Sequence, residues 1–394
     1  MFGAIYIGLS GLNAYSKGLQ QVSNNVTNLN TSGFKSSTVS FQNYYGAKDS
    51  GGLSYTPNDQ SGGNGVGIAD SKLSFQQGEL RQSDRDLDLA IDGTGFLVLL
   101  DGTETLYART GSFEVDKDGY IVLSGTDYHL AALDSSNHPV ALSVDGARTN
   151  PPKATTTIKF ADNLSSTATN AFAISDLTVY DGSGGAHVWK VSFAKDADAG
   201  AGAWKVTVTD DKGVTIGTKS LKFVGSTVDP ATNKLDFTDA TAGFTVSLDF
   251  SGGVTSYSSG EISTLRSASI DGQAVGTITT VTVNSKGRLE IGYSNSQKHE
   301  LGAIAIADFR DPQSLEQRTG GIFAQTGLGS REFLNSEDPR VGQVLSKRLE
   351  ASNVDLSQQF GDLILIQRGF QAASQIVSVS NDMIQQLFGI RGQG

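Results

Sequence analysis

NVDLSQQFGDLILIQRGFQAASQIVSVSNDMIQQLF, residues 353–388, is the stretch on which the fold of this chain depends. Apolar residues recur in it at spacings of three and four, the a/d pattern of a helix that packs on another helix. This half of the predicted seam comprises Leu363, Ile366, Phe370, Ala373, Val377, Ser380, Ile384 and Leu387. A helix with such a seam needs a partner that covers it.

The opposite end of the chain supplies that partner. The same spacing is found in Ile5, Gly8, Leu12, Tyr15, Leu19, Val22, Val26 and Leu29. The first helix is predicted from about Ala4 to Leu29, because Asn, Thr, Ser and Gly residues that stop helices follow directly. The second helix is predicted to be capped by Asn353 or Asp355. We therefore predict that the two ends of the chain pair as one α-helical coiled coil.

The surfaces outside the seam carry very few charges. Lys17 is the single charged residue between Met1 and Asn30, and those after Val354 are Asp355, Asp362, Arg368, Asp382 and Arg391. Helices that face water normally carry many charges. Apolar residues also occur off the seam, at Ile7, Leu9, Ile364, Leu365, Ile376 and Val379. This pattern favours coverage by further copies of the chain, against the alternative of a helical hairpin packed on its own domain.

Composition limits the classes of partner. The 30 basic and 41 acidic residues among 394 give a net charge of −11, which argues against nucleic acid and anionic membranes. No stretch is apolar enough for a membrane span, and no signal-peptide pattern precedes Lys17. The chain contains no cysteine. It is therefore expected to be cytosolic, or exported without cleavage of a signal peptide.

Strand patterns dominate residues 87–123. Apolar residues and Asp alternate over residues 86–92, and an apolar run from Phe96 follows the turn at residues 93–95. Residues 116–120, DKDGY, predict a hairpin turn and not a calcium loop, because the closing Glu at position twelve is missing. Four carboxylates share one strand face and are interpreted as a solvated edge, not as an acid–base pair: Asp84, Asp86, Asp88 and Asp92.

Between about Asp145 and Arg288 the sequence predicts an all-β unit of short strands. Residues 188–193 and 203–208 are nearly a repeat, as expected for a hairpin in a β-sandwich or barrel. Trp189 and Trp204 could form a carbohydrate platform, but their position in alternating strands favours a place in the core.

Three blocks of sequence resemble the bacterial flagellar rod and hook protein family. They are SGLNAYS (10–16) with NNVTNLNTSGFK (24–35), LDLAIDGTGF (87–96) with YARTGSF (107–113), and LEASNVDLS (349–357) with QRGFQAA (367–373). Residues 293–297, 309–315 and 323–327 are similar to the hook branch in particular. Many relatives have Tyr at position 370 and Asn at position 373, so this chain departs slightly from the family pattern.

The resemblance implies a structural subunit that polymerises with copies of itself into a flexible curved tube, which transmits motor torque to the flagellar filament. It further implies an extracellular location and five sets of partners: the chain itself, the distal rod, the hook cap, the hook–filament junction proteins and the flagellar type III export apparatus. A distal rod protein, which forms a straight segment, is the alternative within the family. No cofactor is implied.

The rival from another class is an enzyme or a sugar-binding protein on β-sandwich domains. Against it, the four histidines are scattered without metal-ligand spacing, at His129, His138, His187 and His299. The chain also lacks a nucleophile-elbow or phosphate-loop motif. No catalytic, metal or cofactor-binding residue is therefore predicted.

The predicted fold class is mixed, with a terminal α-helical coiled coil and mainly-β nested domains. Residues 1–30 and 354–394 form the helical domain, 31–71 and 326–353 an extended connector, 72–145 and 289–325 a β-rich core, and 146–288 an inserted outer β-domain. The predicted assembly seam comprises Ile5, Leu12, Leu19, Val22, Val26, Leu29, Leu363, Ile366, Phe370, Val377, Ile384 and Leu387.

Overall fold

The computed structural model describes residues 2–43, 65–326 and 329–391. The middle of the predicted connector, residues 44–64, and Gly327 of the last hook-like motif lie outside the described residues. The chain begins with helix α1 (Phe2–Thr27) and continues with strands β1 (Ser37–Thr38), β2 (Phe41–Asn43), β3 (Val66–Ile68), β4 (Lys72–Leu73) and β5 (Leu80–Gln82). β1 pairs with β4 and β2 with β3, both antiparallel.

The chain closes with helix α2 (Leu356–Arg391). Of the two predicted caps, Asp355 is the one used, because its Oδ1 accepts hydrogen bonds from the Ser357 N–H at 2.8 Å and the Gln358 N–H at 3.3 Å. Asn353 instead accepts a hydrogen bond from the Ser36 N–H at 2.8 Å. It therefore ties the segment before α2 to the segment after α1.

The first β segment matches the predicted run of strands. It comprises β6 (Asp88–Asp92), β7 (Phe96–Asp101), β8 (Glu104–Ala108), β9 (Thr110–Val115), β10 (Ile121–Leu123), β11 (His129–Leu133) and β12 (Pro139–Ala141), followed by a 3₁₀ turn, Asp145–Ala147. The hairpin turn at residues 116–120 is confirmed, since β9 and β10 pair across it. The Tyr120 N–H donates to Asp116 Oδ1 at 2.7 Å, and Gly119 has a φ of 85°, in the left-handed region.

The interpretation of the four aspartates as a solvated edge agrees with exposed Asp84 and Asp92 and half-buried Asp86, but it is wrong for Asp88. Asp88 is buried, with 2% of its surface exposed, and accepts a hydrogen bond from the Ser83 hydroxyl. In β6 the residues from Asp88 to Ile91 are all buried, so the strand is covered on both faces up to its last residue, Asp92, which is exposed. The sequence pattern misled because the alternation of Asp with apolar residues does not show that β6 is covered on both sides.

The segment from Thr149 to Val283 is all β. It comprises β13 (Thr149–Asn150), β14 (Thr157–Asn163), β15 (Phe172–Tyr180), β16 (Ala186–Lys195), β17 (Ala203–Thr209), β18 (Thr215–Val224), β19 (Thr227–Val228), β20 (Lys234–Asp239), β21 (Phe244–Asp249), β22 (Val254–Thr255), β23 (Arg266–Ile270) and β24 (Gly276–Val283). β16 and β17 form the predicted antiparallel hairpin. Trp189 and Trp204 are buried, which confirms their predicted place in the core.

The last β segment precedes α2. It comprises β25 (Arg288–Tyr293), β26 (Lys298–Ala303), β27 (Ala305–Phe309), a 3₁₀ turn (Pro312–Ser314), β28 (Leu315–Gln317), β29 (Ile322–Gln325), β30 (Arg331–Asn335), β31 (Gln343–Ser346) and β32 (Arg348–Glu350). The chain divides into two compact units, unit 1 with residues 1–145, 281–290 and 300–394, and unit 2 with residues 146–280 and 291–299. The finer division into four domains stays a prediction.

Unit 1 contains both helices and a large sheet. The strand order is β28-β29-β8-β7-β11-β10-β9-β6-β31, and β27 pairs with both β7 and β30. Strands from before residue 145 and after residue 300 are thus combined in one sheet, in which six consecutive early strands, β8 to β6, are flanked by β29 and β31. Its aromatic core includes Phe96, Tyr107, Phe309 and Phe323. At the end of the sheet β31 pairs with β6, and β32 pairs with β5 close to the start of α2.

Unit 2 has its own sheet and core. The strand order is β15-β16-β17-β18-β19-β22-β14-β21-β20, with β23 paired to β14. Both halves of this sheet contribute to one cluster of buried side chains, in which Trp189 of β16 stacks on Phe244 of β21 at a centroid distance of 5.7 Å. Two terminal helices and β-rich units confirm the predicted mixed fold class.

Candidate assembly site

The two helices pack against each other in antiparallel directions through a face that is rich in glycine. The buried glycines of α1 each lie against one side chain of α2: Gly8 against Val377, Gly11 against Ala373 and Gly18 against Ile366. A Cβ added to Gly8 would lie 2.7 Å from Val377 Cγ2. The helices therefore approach more closely than two apolar seams with large side chains would allow.

The structure places the predicted seam residues as follows. Val22 and Ile366 are buried, and Ile5, Leu12, Val26, Leu29, Leu363, Val377 and Ile384 are half-buried. Leu19 and Phe370 are exposed, at 38% and 43%. The side chain of Leu387 lies outside the described residues. Of the seam residues on α2, Ile366 and Val377 lie against glycines of α1, whereas Leu29 lies beyond the end of α1. The role of the seam in assembly stays a prediction.

Gly8→Val is expected to weaken the helix pair, because its added methyl groups would overlap with Val377 and the Ala373 carbonyl. We expect the critical concentration for polymerisation, measured by sedimentation, to rise about ten-fold or more. Gly3→Val is the matched control, since a Cβ at Gly3 has no atom within 4 Å. Equal effects of the two variants would contradict the close packing at Gly8.

A polar contact links the C-terminal end of α1 to the N-terminal end of α2. Asn25 is 1% exposed and Gln359 is 7% exposed, and the Asn25 Nδ2 donates to Gln359 Oε1 at 2.9 Å. The same amide donates to the Ser37 carbonyl at 2.8 Å and accepts from the Ser37 N–H at 3.1 Å. Asn25 therefore holds α1, α2 and strand β1 together.

A buried charge cluster lies just beyond these helix ends and consists of Lys35, Arg109 and Glu350. Lys35 Nζ is 2.6 Å from Glu350 Oε1, and Arg109 Nε is 3.3 Å from Glu350 Oε2. The three side chains are at most 2% exposed. The Gly78 N–H also donates to Glu350 Oε1, at 2.8 Å. One carboxylate thus bridges the segment after α1, the large sheet and the segment before α2.

The two cations of the charge cluster also donate hydrogen bonds to backbone carbonyls. Lys35 Nζ donates to the Gln76 carbonyl at 2.8 Å, and the Arg109 guanidinium donates to the carbonyls of Gly93 and Gly95. Burial lowers the pKa of the Lys35 ammonium and of the Arg109 guanidinium below their ordinary values, while the Glu350 charge acts against both shifts. Ions buried in this way need all their partners.

The charge cluster unites four of the six family-like stretches, although sequence reasoning missed it. Lys35 ends the block 24–35, Gly93 and Gly95 lie in block 87–96, Arg109 lies in block 107–113, and Glu350 lies in block 349–357. The other two stretches, 10–16 and 367–373, belong to α1 and α2. The four stretches share a physical reason, since each contributes to the site where both terminal segments meet the sheet.

The off-seam apolar residues of both helices are exposed in the single chain. Their exposed fractions are 42% for Ile7, 51% for Leu9, 52% for Ile364, 69% for Leu365, 47% for Ile376 and 49% for Val379. Tyr6, Phe360, Met383 and Phe388 are also at least half exposed. Apolar surface of this kind on a soluble chain marks a site of protein–protein contact.

The described residues offer little for other kinds of site. Within residues 2–43, 65–326 and 329–391, no three His, Asp or Glu side chains are grouped so that they could hold a metal ion. No helix in these ranges has the length and apolar character needed to cross a membrane.

Comparison with known proteins identifies the family. Four family models match this chain. Residues 5–35 match the model described as "Flagella basal body rod protein", and residues 90–163 match "Flagellar hook protein FlgE/F/G D1 domain". Residues 143–317 match "Flagellar basal body protein FlaE D2 domain", and residues 345–390 match "Flagellar basal body rod FlgEFG protein C-terminal". The flagellar hook protein FlgE of Salmonella typhimurium is 28% identical over 416 residues, which cover 97% of this chain and 98% of that protein. The chain belongs to the flagellar hook protein family.

Other hook proteins match over similar lengths. FlgE of Treponema pallidum is 26% identical over 466 residues, which cover 99% of this chain and 100% of that protein. A crystal structure of Helicobacter pylori flagellar hook protein FlgE2 covers 69% of this chain and 99% of that chain, with a TM-score of 0.47 and 12% identity. The matches to curated hook proteins over nearly their whole length confirm the resemblance seen in the sequence blocks and favour the hook branch over the distal rod.

Proposed function

We propose that this structural hook subunit polymerises with copies of itself into a flexible curved tube that transmits motor torque to the flagellar filament. The observation that carries the proposal is the exposed apolar surface of the helix pair. Between Leu356 and Arg391 there are only four charged residues, Asp362, Arg368, Asp382 and Arg391, and α1 carries Lys17 alone. Such helices gain most free energy when other copies cover them.

Two kinds of surface support a division of labour within the subunit. Closely packed helices resist shear because their side chains cannot pass one another without separation, so a layer of helix pairs suits torque transmission. Unit 2 carries many exposed Ser and Thr side chains, whose contacts with a neighbour can be exchanged for water at low cost. Units of this type can slide between nearly equivalent contacts as a curved tube rotates.

Membership of the family supports a proposal for the location and for the other partners. We propose an extracellular position in the hook, reached through the flagellar type III export apparatus without cleavage of a signal peptide. The neighbours in the flagellum would be the distal rod, the hook cap and the hook–filament junction proteins. The proposed role is structural and needs neither an enzymatic activity nor a cofactor.

Electron microscopy of the concentrated purified chain tests the proposed function. A curved tube is the expected result, because the helix pairs form a continuous layer while the β units adjust. A straight rod would favour the distal rod alternative, and the absence of any polymer at high concentration would contradict self-assembly. Sedimentation before imaging removes unassembled chains, and the micrographs distinguish regular polymers from amorphous aggregates.

A further inference from the structure

The contact face of α1 has few features that could fix the register of the helix pair. Coiled coils are held in register by large side chains that fit between those of the partner helix. Here the buried positions Gly8, Gly11, Ala14 and Gly18 present almost no side chain, and the larger side chains on this face are Val22 and Tyr15, whose ring lies against Gly369 of α2. A shift of α1 along α2 by one turn, about 5.4 Å, would therefore be opposed by few apolar side chains of α1, chiefly Tyr15.

We propose that two sets of buried polar groups, near the C-terminal end of α1 and the N-terminal end of α2, set this register. They are the Asn25–Gln359 hydrogen bond and the charge cluster. The inference rests on the proposed function, since the register decides how the exposed apolar residues of α1 and α2 line up for other copies. In this role Asn25, Lys35, Gln359 and Glu350 are positioning residues. Register specification is the best-attested role of buried polar groups between helices.

The polar pair continues the same heptad register as the apolar contacts. Gly11 faces Ala373, Gly18 faces Ile366 and Asn25 bonds to Gln359, so each step of seven residues on α1 matches a step of seven on α2. A shift by four residues would place Asn25 opposite Leu363. The Asn25 amide and the Gln359 carbonyl would then lose each other in a buried position, which opposes the shift.

The charge cluster also opposes a shift, because it anchors the chain segments that connect the two helices to the sheet. Lys35 follows the end of α1 by eight residues and Glu350 precedes the start of α2 by six, so both connections are short. The connections are also bonded to each other, because the Gly33 N–H donates to the Glu350 carbonyl at 2.9 Å. One helix cannot move along the other unless a connection stretches or the buried ion pairs open.

Disulfide trapping tests the register directly, since the chain contains no cysteine that would interfere. The variant G11C with A373C reports the observed register, because a Cβ on Gly11 lies 3.2 Å from the Ala373 Cβ. The variant G11C with V377C reports a shift by four residues. Polymerised protein is oxidised, and the intrachain disulfides are quantified by peptide mass spectrometry, while interchain products are recognised by their doubled mass on non-reducing gels.

We expect the polymer with wild-type polar groups to form the first disulfide efficiently and the shifted disulfide only at a low background level. Gln359→Met keeps the length of the side chain but removes the acceptor for Asn25, and it is expected to increase the shifted disulfide at least ten-fold. Gln359→Glu retains that acceptor and should restore the observed register. Lys35→Met, which leaves the charges of Arg109 and Glu350 balanced, is a second and independent test. It is also expected to increase the shifted disulfide.

A merely structural role would lower the yield of folded chain without changing which disulfide forms. The shifted disulfide staying at its wild-type level in both Gln359→Met and Lys35→Met would overturn the proposal. Sedimentation of the same samples keeps the two claims apart. A wild-type chain that does not polymerise would count against the proposed function, whereas polymers with one unchanged register in every variant would overturn the register proposal alone.

Discussion

The Glu350→Gln variant is expected to lose about 10²- to 10³-fold of the hydrogen-exchange protection of the amides at Gly33, Gly78 and Ala351. The Gly33 N–H donates to the Glu350 carbonyl at 2.9 Å, and the Gly78 N–H donates to its Oε1 at 2.8 Å. The substitution leaves two buried cations without their anion. Breaking a buried ion pair in this way typically costs about 3–5 kcal/mol, which weakens the attachment of both terminal segments to the sheet.

Three comparisons make this result specific. Glu79→Gln removes an exposed carboxylate, 73% accessible and paired with the exposed Arg81, and should leave exchange unchanged. Lys35→Met should cost less than Glu350→Gln, because a neutral pair remains. Both tryptophans lie in unit 2, so the unfolding transition that their fluorescence reports should be the same in Glu350→Gln as in the wild type. If these amides exchange as slowly in Glu350→Gln as in the wild type, the charge cluster does not hold the terminal segments on the sheet.

The helix pair could be predicted because its signal is repeated at both ends of the chain. Val22 and Ile366 lie where the heptad pattern places them, and both are buried. The contact face of α1 was nevertheless displaced by one residue in places, since Gly11 and Gly18 are buried where Leu12 and Leu19 were predicted. A pattern of hydrophobicity gives no weight to glycine, although the absence of a side chain is what lets the helices approach.

The charge cluster could not be predicted, because a charged residue in a sequence normally indicates exposed surface. Lys35 and Glu350 are 315 residues apart, and Arg109 and Glu350 are 241 apart. No local pattern connects positions so distant. The predicted exposure of Asp88 was wrong for a related reason, since β6 is paired on both sides, with β9 and with the distant strand β31. Periodicity predicts local structure, whereas buried polar contacts depend on the tertiary fold.

Leu365→Glu is expected to raise the critical concentration for polymerisation by about two orders of magnitude or more. Leu365 is 69% exposed in the single chain, so the substitution leaves the monomer without a buried charge. In the polymer, the proposed contact with other copies would desolvate the carboxylate in a region with very few cations. Sedimentation over a concentration series measures the change, and circular dichroism checks that the monomer is unaltered.

The control for this prediction must add the same charge at a position of similar exposure outside the helix face that is proposed to drive assembly. Val214 is 60% exposed at the turn between β17 and β18 of unit 2, so Val214→Glu adds the same charge to an apolar position of similar accessibility. If coverage of the helices drives assembly, only the helix variant loses polymerisation. Equal losses in both variants would show that net charge limits assembly, and a normal critical concentration for Leu365→Glu would mean that other copies do not cover this face.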